Sequence, residues 1–135
     1  MIVREALVSD PRVLQAGASV REAAELLTHP HVRSALVAES DRLVGCVTAE
    51  SIVAALAQGV DVDAATAADV CERAVTTIGP DVALDEALHL MAEQDLERLP
   101  VTENGRLLGV LPRETIARRL AADQLPKPAE DEARS

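Results

Sequence analysis

The stretch "RLLGVLPRET", residues 106–115, restates "RLVGCVTAES", residues 42–51, sixty-four positions earlier in a chain of 135 residues. Sliding 18–57 onto 82–121 without a gap gives twelve identities in forty positions. Ordinary residue frequencies would give about three. The identities include Glu22/Glu86, Leu26/Leu90, Val37/Val101, Gly45/Gly109, Ile52/Ile116 and Leu56/Leu120. Conservative pairs such as Val20/Leu84, Leu27/Met91, Cys46/Val110 and Ser51/Thr115 fill the gaps between them. The matches favour apolar positions, so the repeated object is a packing unit.

Each copy reads as helix, strand, strand, helix. Val20, Ala23, Ala24 and Leu27 fall at i, i+3, i+4, i+7, and Leu84, Ala87, Leu88 and Met91 repeat the spacing, the signature of an amphipathic helix. Ser19 and Glu22 form a capping-box pattern. In the second copy Ala83 replaces the serine, and Asp81 is expected to cap instead. Ala35–Ala38 and Leu43–Thr48 read as strands joined by the turn Glu-Ser-Asp-Arg. Leu99–Thr102 and Leu107–Leu111 are joined across Asn104-Gly105, a strong hairpin signal. Closing helices carry Ile52/Leu56 and Ile116/Leu120 at i, i+4, with Thr48 as a cap and Pro112 suited to a first turn. Short lead-in strands precede each unit at Arg12–Leu14 and Val75–Ile78. The expected organisation is repeat 1 over 1–58, a linker over 59–66, repeat 2 over 67–125 and a disordered tail over 126–135. Neither β-α-β-β-α unit can bury its apolar face alone. The fold class is therefore α+β, with two repeats packed around a pseudo-twofold axis on one core.

Composition narrows the function. Hydrophobic residues make up 48% of the chain with no Phe, Tyr or Trp, so the core is aliphatic. A net charge of −10 repels nucleic-acid phosphates, and no aromatic side chain is present to stack on bases. No N-terminal signal-peptide pattern and no apolar run of membrane-spanning length occur, which leads to the expectation of a cytoplasmic protein without membrane contact. Cys46 and Cys71 make no disulfide framework, and Cys46, opposite Val110, reads as a small buried apolar residue. His29-Pro-His31 lacks a third ligand, so it reads as a turn on the surface, and His89 is expected to be exposed.

"LERLPVTENGRLLGVLPRETI", residues 96–116, resembles the cystathionine-β-synthase (CBS) domain, which occurs in pairs known as Bateman modules. The family pattern is an apolar-Pro-Val element, a Gly-containing hairpin, then Gly-apolar-apolar-Thr-x-x-Asp entering a helix. "DVCERAVTTI", residues 69–78, resembles the family's lead-in segment, and the likeness spans about residues 4–121. The first copy departs further, with Leu36 for the proline and "ESDR" for the glycine turn. The resemblance implies a stand-alone regulatory or sensor module. Such a module binds an adenosine-containing ligand (AMP, ATP or S-adenosylmethionine), forms a homodimer and acts on a protein partner in trans. No tightly held cofactor is expected. Apolar Ile52 and Ile116 on the closing helices supply a reason to associate.

In that pattern the final Asp holds the two ribose hydroxyls, one carboxylate accepting from two adjacent donors. Ser51 and Thr115 occupy those positions, so both acids are lost. Thr48 keeps the pattern's threonine, whereas Pro112 replaces it. A charged hydrogen bond contributes about 1.5–3 kcal/mol, so ribose binding weakens by roughly ten- to a hundredfold. Glu50 and Glu114 lie one residue early, where an acid chiefly favours the helix dipole. Arg113 in the first helical turn is a phosphate candidate. Thr76 and Thr77 could meet an adenine edge, and Leu99 and Pro100 could wall a base or simply belong to the core. No nucleophile–base pairing and no phosphate-cradling glycine loop appears, so an enzyme is not expected. The alternative to a sensor with weak or altered nucleotide specificity is a ligand-free dimeric interaction scaffold.

Overall fold

A computed structural model describes residues 1–10 and 12–124. Strand β1 (Leu14–Gln15) leads into helix α1 (Val20–Leu27), the hairpin β2 (Ser34–Glu39) and β3 (Arg42–Thr48), and helix α2 (Ala49–Ala57). A short helix α3 (Ala67–Val70) precedes α4 (Leu84–Glu93), the hairpin β4 (Arg98–Glu103) and β5 (Arg106–Pro112), and α5 (Arg113–Gln124). The tail expected over 126–135 lies outside the described residues. No helix among the described residues is long and apolar enough to cross a membrane.

Local chemistry accounts for most boundaries. Ser19 Oγ accepts the Glu22 amide at 3.1 Å and starts α1, whose Val20 and Ala23 are buried. Thr48 caps α2. In α4, Leu84, Ala87 and Met91 form the buried stripe. Asp81 does not cap it. Ala83 occupies the cap position without a side-chain bond, and Asp81 pairs instead with Arg4 at 3.4 Å. The hairpin turns place Ser40 and its counterpart Asn104 at positive φ (57° and 55°), with Gly105 at 83°. Pro112 closes β5 rather than opening α5.

The sheet order is β1-β2-β3-β5-β4, with the two hairpins joined at the register pair Arg42↔Arg106, where Leu43 N donates to the Gly105 carbonyl and Leu107 N to that of Asp41. The offset of sixty-four runs through the whole architecture. Leu14↔Val37 is matched by Ile78↔Val101, and both hairpins change register one residue apart from their valine, at Val37/Ala38 and Val101/Thr102.

The apolar interior divides into two clusters rather than the single core expected, because the hairpins join edge to edge at their tips. Each cluster borrows from the other half of the chain. Val3 and Ala6, in the 3-10 turn Val3–Glu5 and just after it, are buried with Leu84, Met91, Leu99, Leu111 and Ile116. Ala67 and Val70 of α3 are buried with Val20, Ala23, Val37 and Val47. Paired backbone bonds fix the exchange. Val8 and Val110 bond reciprocally at 2.9 and 2.8 Å, and Glu72 and Cys46 do the same at 2.8 and 2.9 Å. These approaches require glycine on the receiving strand. A Cβ on Gly109 would lie 2.6 Å from the Val8 carbonyl oxygen, and one on Gly45 would collide with that of Glu72. Full burial of a side chain such as Val3 or Val70 contributes about 1.5–3 kcal/mol, so each lead-in ties its own repeat to the other.

Candidate ligand-binding site

A cavity of about 110 Å³ lies on the pseudo-twofold axis. Most of its wall comes in offset pairs, Arg12 with Thr76, Ser34 with Arg98, Leu36 with Pro100, and Cys46 with Val110, and Asp10, Val75 and Leu96 complete it. Burial pushes the Cys46 thiol up from its ordinary pKa, so the sulfur faces the cavity as a neutral group. The volume is below the roughly 300 Å³ at which small-molecule pockets begin. Arg12 and Arg98, with His31 and Glu97, also line two neighbouring grooves, of about 170 and 760 Å³. The larger one opens toward the start of α5 and adds Pro112, Arg113, Glu114 and Ala117.

Three arginine side chains therefore line one groove in a chain whose net charge is −10. Arg113 forms a long ion pair with the highly exposed Asp95 (3.7 Å), too solvated to neutralise it. Its amide donates to the Glu97 carbonyl at 2.8 Å, which seats the first turn of α5 against β4. Arg98 pairs with Asp10 at 3.3 Å. Arg12 has no ion pair among the described residues.

Under the offset, Arg12, Arg98 and Arg113 correspond to Thr76, Ser34 and Ala49. The other end of the cleft thus has no cation at any of the three positions. There the first turn of α2 is closed on itself. Ser51 N donates to Thr48 Oγ1 at 3.0 Å, Thr48 N donates to Ser51 Oγ at 2.9 Å, and Ser51 Oγ donates to the Thr48 carbonyl at 2.9 Å. Ser51 is only 6% exposed.

The residues singled out from sequence are therefore scattered. Thr48 and Ser51 meet each other in the cap. Thr76 lines the axial cavity and its hydroxyl lies 2.7 Å from Gln94 Oε1. Thr77 is exposed, and Leu99 is fully buried in the cluster around Leu84 and Met91, away from the cleft. Pro100 lines the axial cavity, Arg113 lines the large groove, and Thr115 is half-buried in the first turn of α5. Sequence reasoning passed over Arg12, Arg98 and Asp10. The available signal was the set of offset pairs that differ in charge.

The CBS domain family model matches the chain twice, over residues 3–58 and 67–122. Hypoxic response protein 1 of Mycobacterium tuberculosis is 34% identical over 83 residues, covering 61% of this chain and 58% of that protein. The uncharacterized protein MK0525 of Methanopyrus kandleri is 31% identical over 83 residues, covering 60% of this chain and 42% of that one. The chain thus spans about half the length of the curated relatives it matches. Among solved structures, CBSX2 in complex with AMP superposes with a TM-score of 0.73 at 22% identity, over 92% of this chain and 98% of that one. The CBS domain pair of MJ0100, in complex with 5-methylthioadenosine and S-adenosyl-L-methionine, gives 0.65 at 25% identity, over 92% and 98%. With both repeats matched and the paired architecture in place, the chain belongs to the CBS domain family.

Proposed function

We propose that this CBS pair is a regulatory sensor that binds a phosphorylated adenosine ligand, AMP or ATP, in the groove at the start of α5. The observation that carries this reading is the convergence of Arg12, Arg98 and Arg113 on one groove of a strongly acidic chain. A guanidinium fork suits phosphate oxygens, and it favours AMP or ATP over S-adenosylmethionine, which carries no phosphate. The AMP complex of CBSX2 supports the ligand class. Thr115 stands where the family pattern has its ribose acid, so the affinity is modest and rests on the phosphate.

The reading includes a homodimer and a partner protein in trans. Ile116 is buried in the cluster around Leu84 and Met91 and Ile52 is partly buried, so neither supplies the dimer face expected from sequence. Val53 and Leu56 on α2, 63% and 50% exposed, supply it instead. Free Cys46 and Cys71 fit a reducing, cytoplasmic setting. No catalytic role is assigned.

Thermal melting with adenosine, AMP, ADP, ATP, S-adenosylmethionine and NADH tests the reading, followed with an external dye because the chain lacks Trp and Tyr. A ligand at a hundred times its Kd adds about 2.7 kcal/mol. AMP and ATP are expected to raise the melting temperature more than adenosine does, with the gap shrinking in salt. A panel without any shift at millimolar ligand would give the lead to a ligand-free interaction scaffold, which the closed cap of Thr48 and Ser51 favours.

A further inference from the structure

The Asp10–Arg98 pair is incompletely matched. The Asp10 side chain is 6% exposed and that of Arg98 28%. A single oxygen, Asp10 Oδ1, takes both the Arg98 Nη2 contact at 3.3 Å and the Arg12 amide at 2.9 Å. Arg98 Nε, beside that contact, is buried with no acceptor. A buried ion pair offsets its desolvation only when its donors are satisfied, so this geometry is a poor stabilising device. It is a guanidinium held by one carboxylate oxygen, with its Nε left unmatched, on a side chain that lines both the axial cavity and the large groove. The offset sharpens the point. Arg98 corresponds to Ser34 and Asp10 to Ala74, so the acid is present only at the end of the cleft that carries the arginine.

We infer that Asp10 is an internal competitor for the anion that the groove binds, holding Arg98 until a phosphate displaces it. The inference rests on reading the groove as a phosphate site. A phosphate presents several oxygens and can accept from Nε and Nη2 together, whereas Asp10 engages Arg98 through one oxygen. The exchange replaces a single contact by a fork and gives Nε its missing acceptor. The energetic cost of displacing Asp10 is subtracted from every anionic ligand and from no neutral one. Asp10 thereby sets the concentration at which the sensor responds, and it does so through the ligand's charge.

The test titrates wild type, Asp10→Asn and Asp10→Asn/Arg98→Gln with adenosine, AMP and inorganic pyrophosphate by calorimetry. Asp10→Asn is expected to bind AMP and pyrophosphate about tenfold or more tightly than wild type, to leave adenosine unchanged, and to lose the gain when Arg98 is removed. An Asp10→Asn protein that binds both anions no better than wild type overturns the inference. So does a gain of equal size for adenosine, which would mark a general opening of the cleft. If AMP and adenosine bind neither protein, the nucleotide reading falls, and pyrophosphate still decides the role of Asp10 by the same criterion. Removing one partner of a buried pair destabilises. If Asp10→Asn is too unstable to titrate, its melting temperature with and without pyrophosphate decides: a rise several degrees larger than that of wild type supports the competitor, and equal rises overturn it.

Discussion

The first turns of α2 and α5 occupy equivalent places in the two repeats and have been put to different uses. At α2, Thr48 and Ser51 spend their hydroxyls on one another, and the offset counterparts of the three groove arginines are Thr76, Ser34 and Ala49. At α5, proline and threonine replace that pair, no reciprocal cap forms, and Arg12, Arg98 and Arg113 line a groove of about 760 Å³. The scaffold is symmetric down to its paired β-bridges, whereas the charge is not. A duplicated fold presents two equivalent clefts, and side-chain chemistry alone decides which of them can hold an anion. Here one cleft end is self-contained structure and the other carries cationic groups.

The largest expected effect tests the symmetric part. Gly109→Ala places a Cβ against the Val8 carbonyl, and Gly45→Ala does the same against Glu72. The atom met is a backbone oxygen that cannot swing aside, so the overpacking costs about 3 kcal/mol or more, and chemical denaturation should find similar losses for both. A loss at one glycine only would mean that the exchanged lead-ins are not energetically equivalent.

Next in size is the contrast between the two missing acids. Thr115→Asp supplies a ribose acceptor next to the arginine groove and is expected to tighten AMP by about 1.5–3 kcal/mol. Ser51→Asp should change AMP affinity by less than about twofold, because its carboxylate takes over the amide of Thr48 as a capping acceptor. Asp69 already does this for the Thr66 amide at 2.9 Å. A gain from Ser51→Asp as large as that from Thr115→Asp would break the proposed asymmetry.

The smallest effect concerns Cys46 on the axis. Its raised pKa keeps the thiol protonated at pH 8, so iodoacetamide should alkylate it more slowly than a free thiol. The rate should climb as the pH passes above the ordinary thiol value. Alkylation as fast as that of a model thiol at pH 8, read by peptide mass spectrometry, would show the axial cavity to be open to solvent.

Much of the fold was legible because its determinants are local. The repeat fixed the order of elements, Asn104-Gly105 marked one hairpin, and Ser19 and Thr48 marked helix starts. The lead-in exchange was not legible. Val8 to Val110 is a long-range backbone pairing, and residues 3–8 share little identity with 67–72, since only backbone hydrogen bonds and two small apolar contacts must be kept there. The site was half legible. Arg113 stood out at a helix start, but Arg12 and Arg98 are single charges in extended segments, which resemble ordinary surface residues. Leu99 read as a possible base wall because apolar strand residues alternate between two faces, and the face is set by register. Ser51 read as an open ligand position because its sequence does not reveal that both its bonding partners lie within its own turn.

The central claim is that only one end of a two-fold cleft binds nucleotide, and calorimetric titration of the wild-type protein with AMP tests it most directly. The account predicts one AMP per chain, with affinity falling roughly ten- to a hundredfold in Arg113→Gln. A stoichiometry of two equivalent sites per chain, or a single site whose affinity is unaffected by Arg113→Gln, would contradict it.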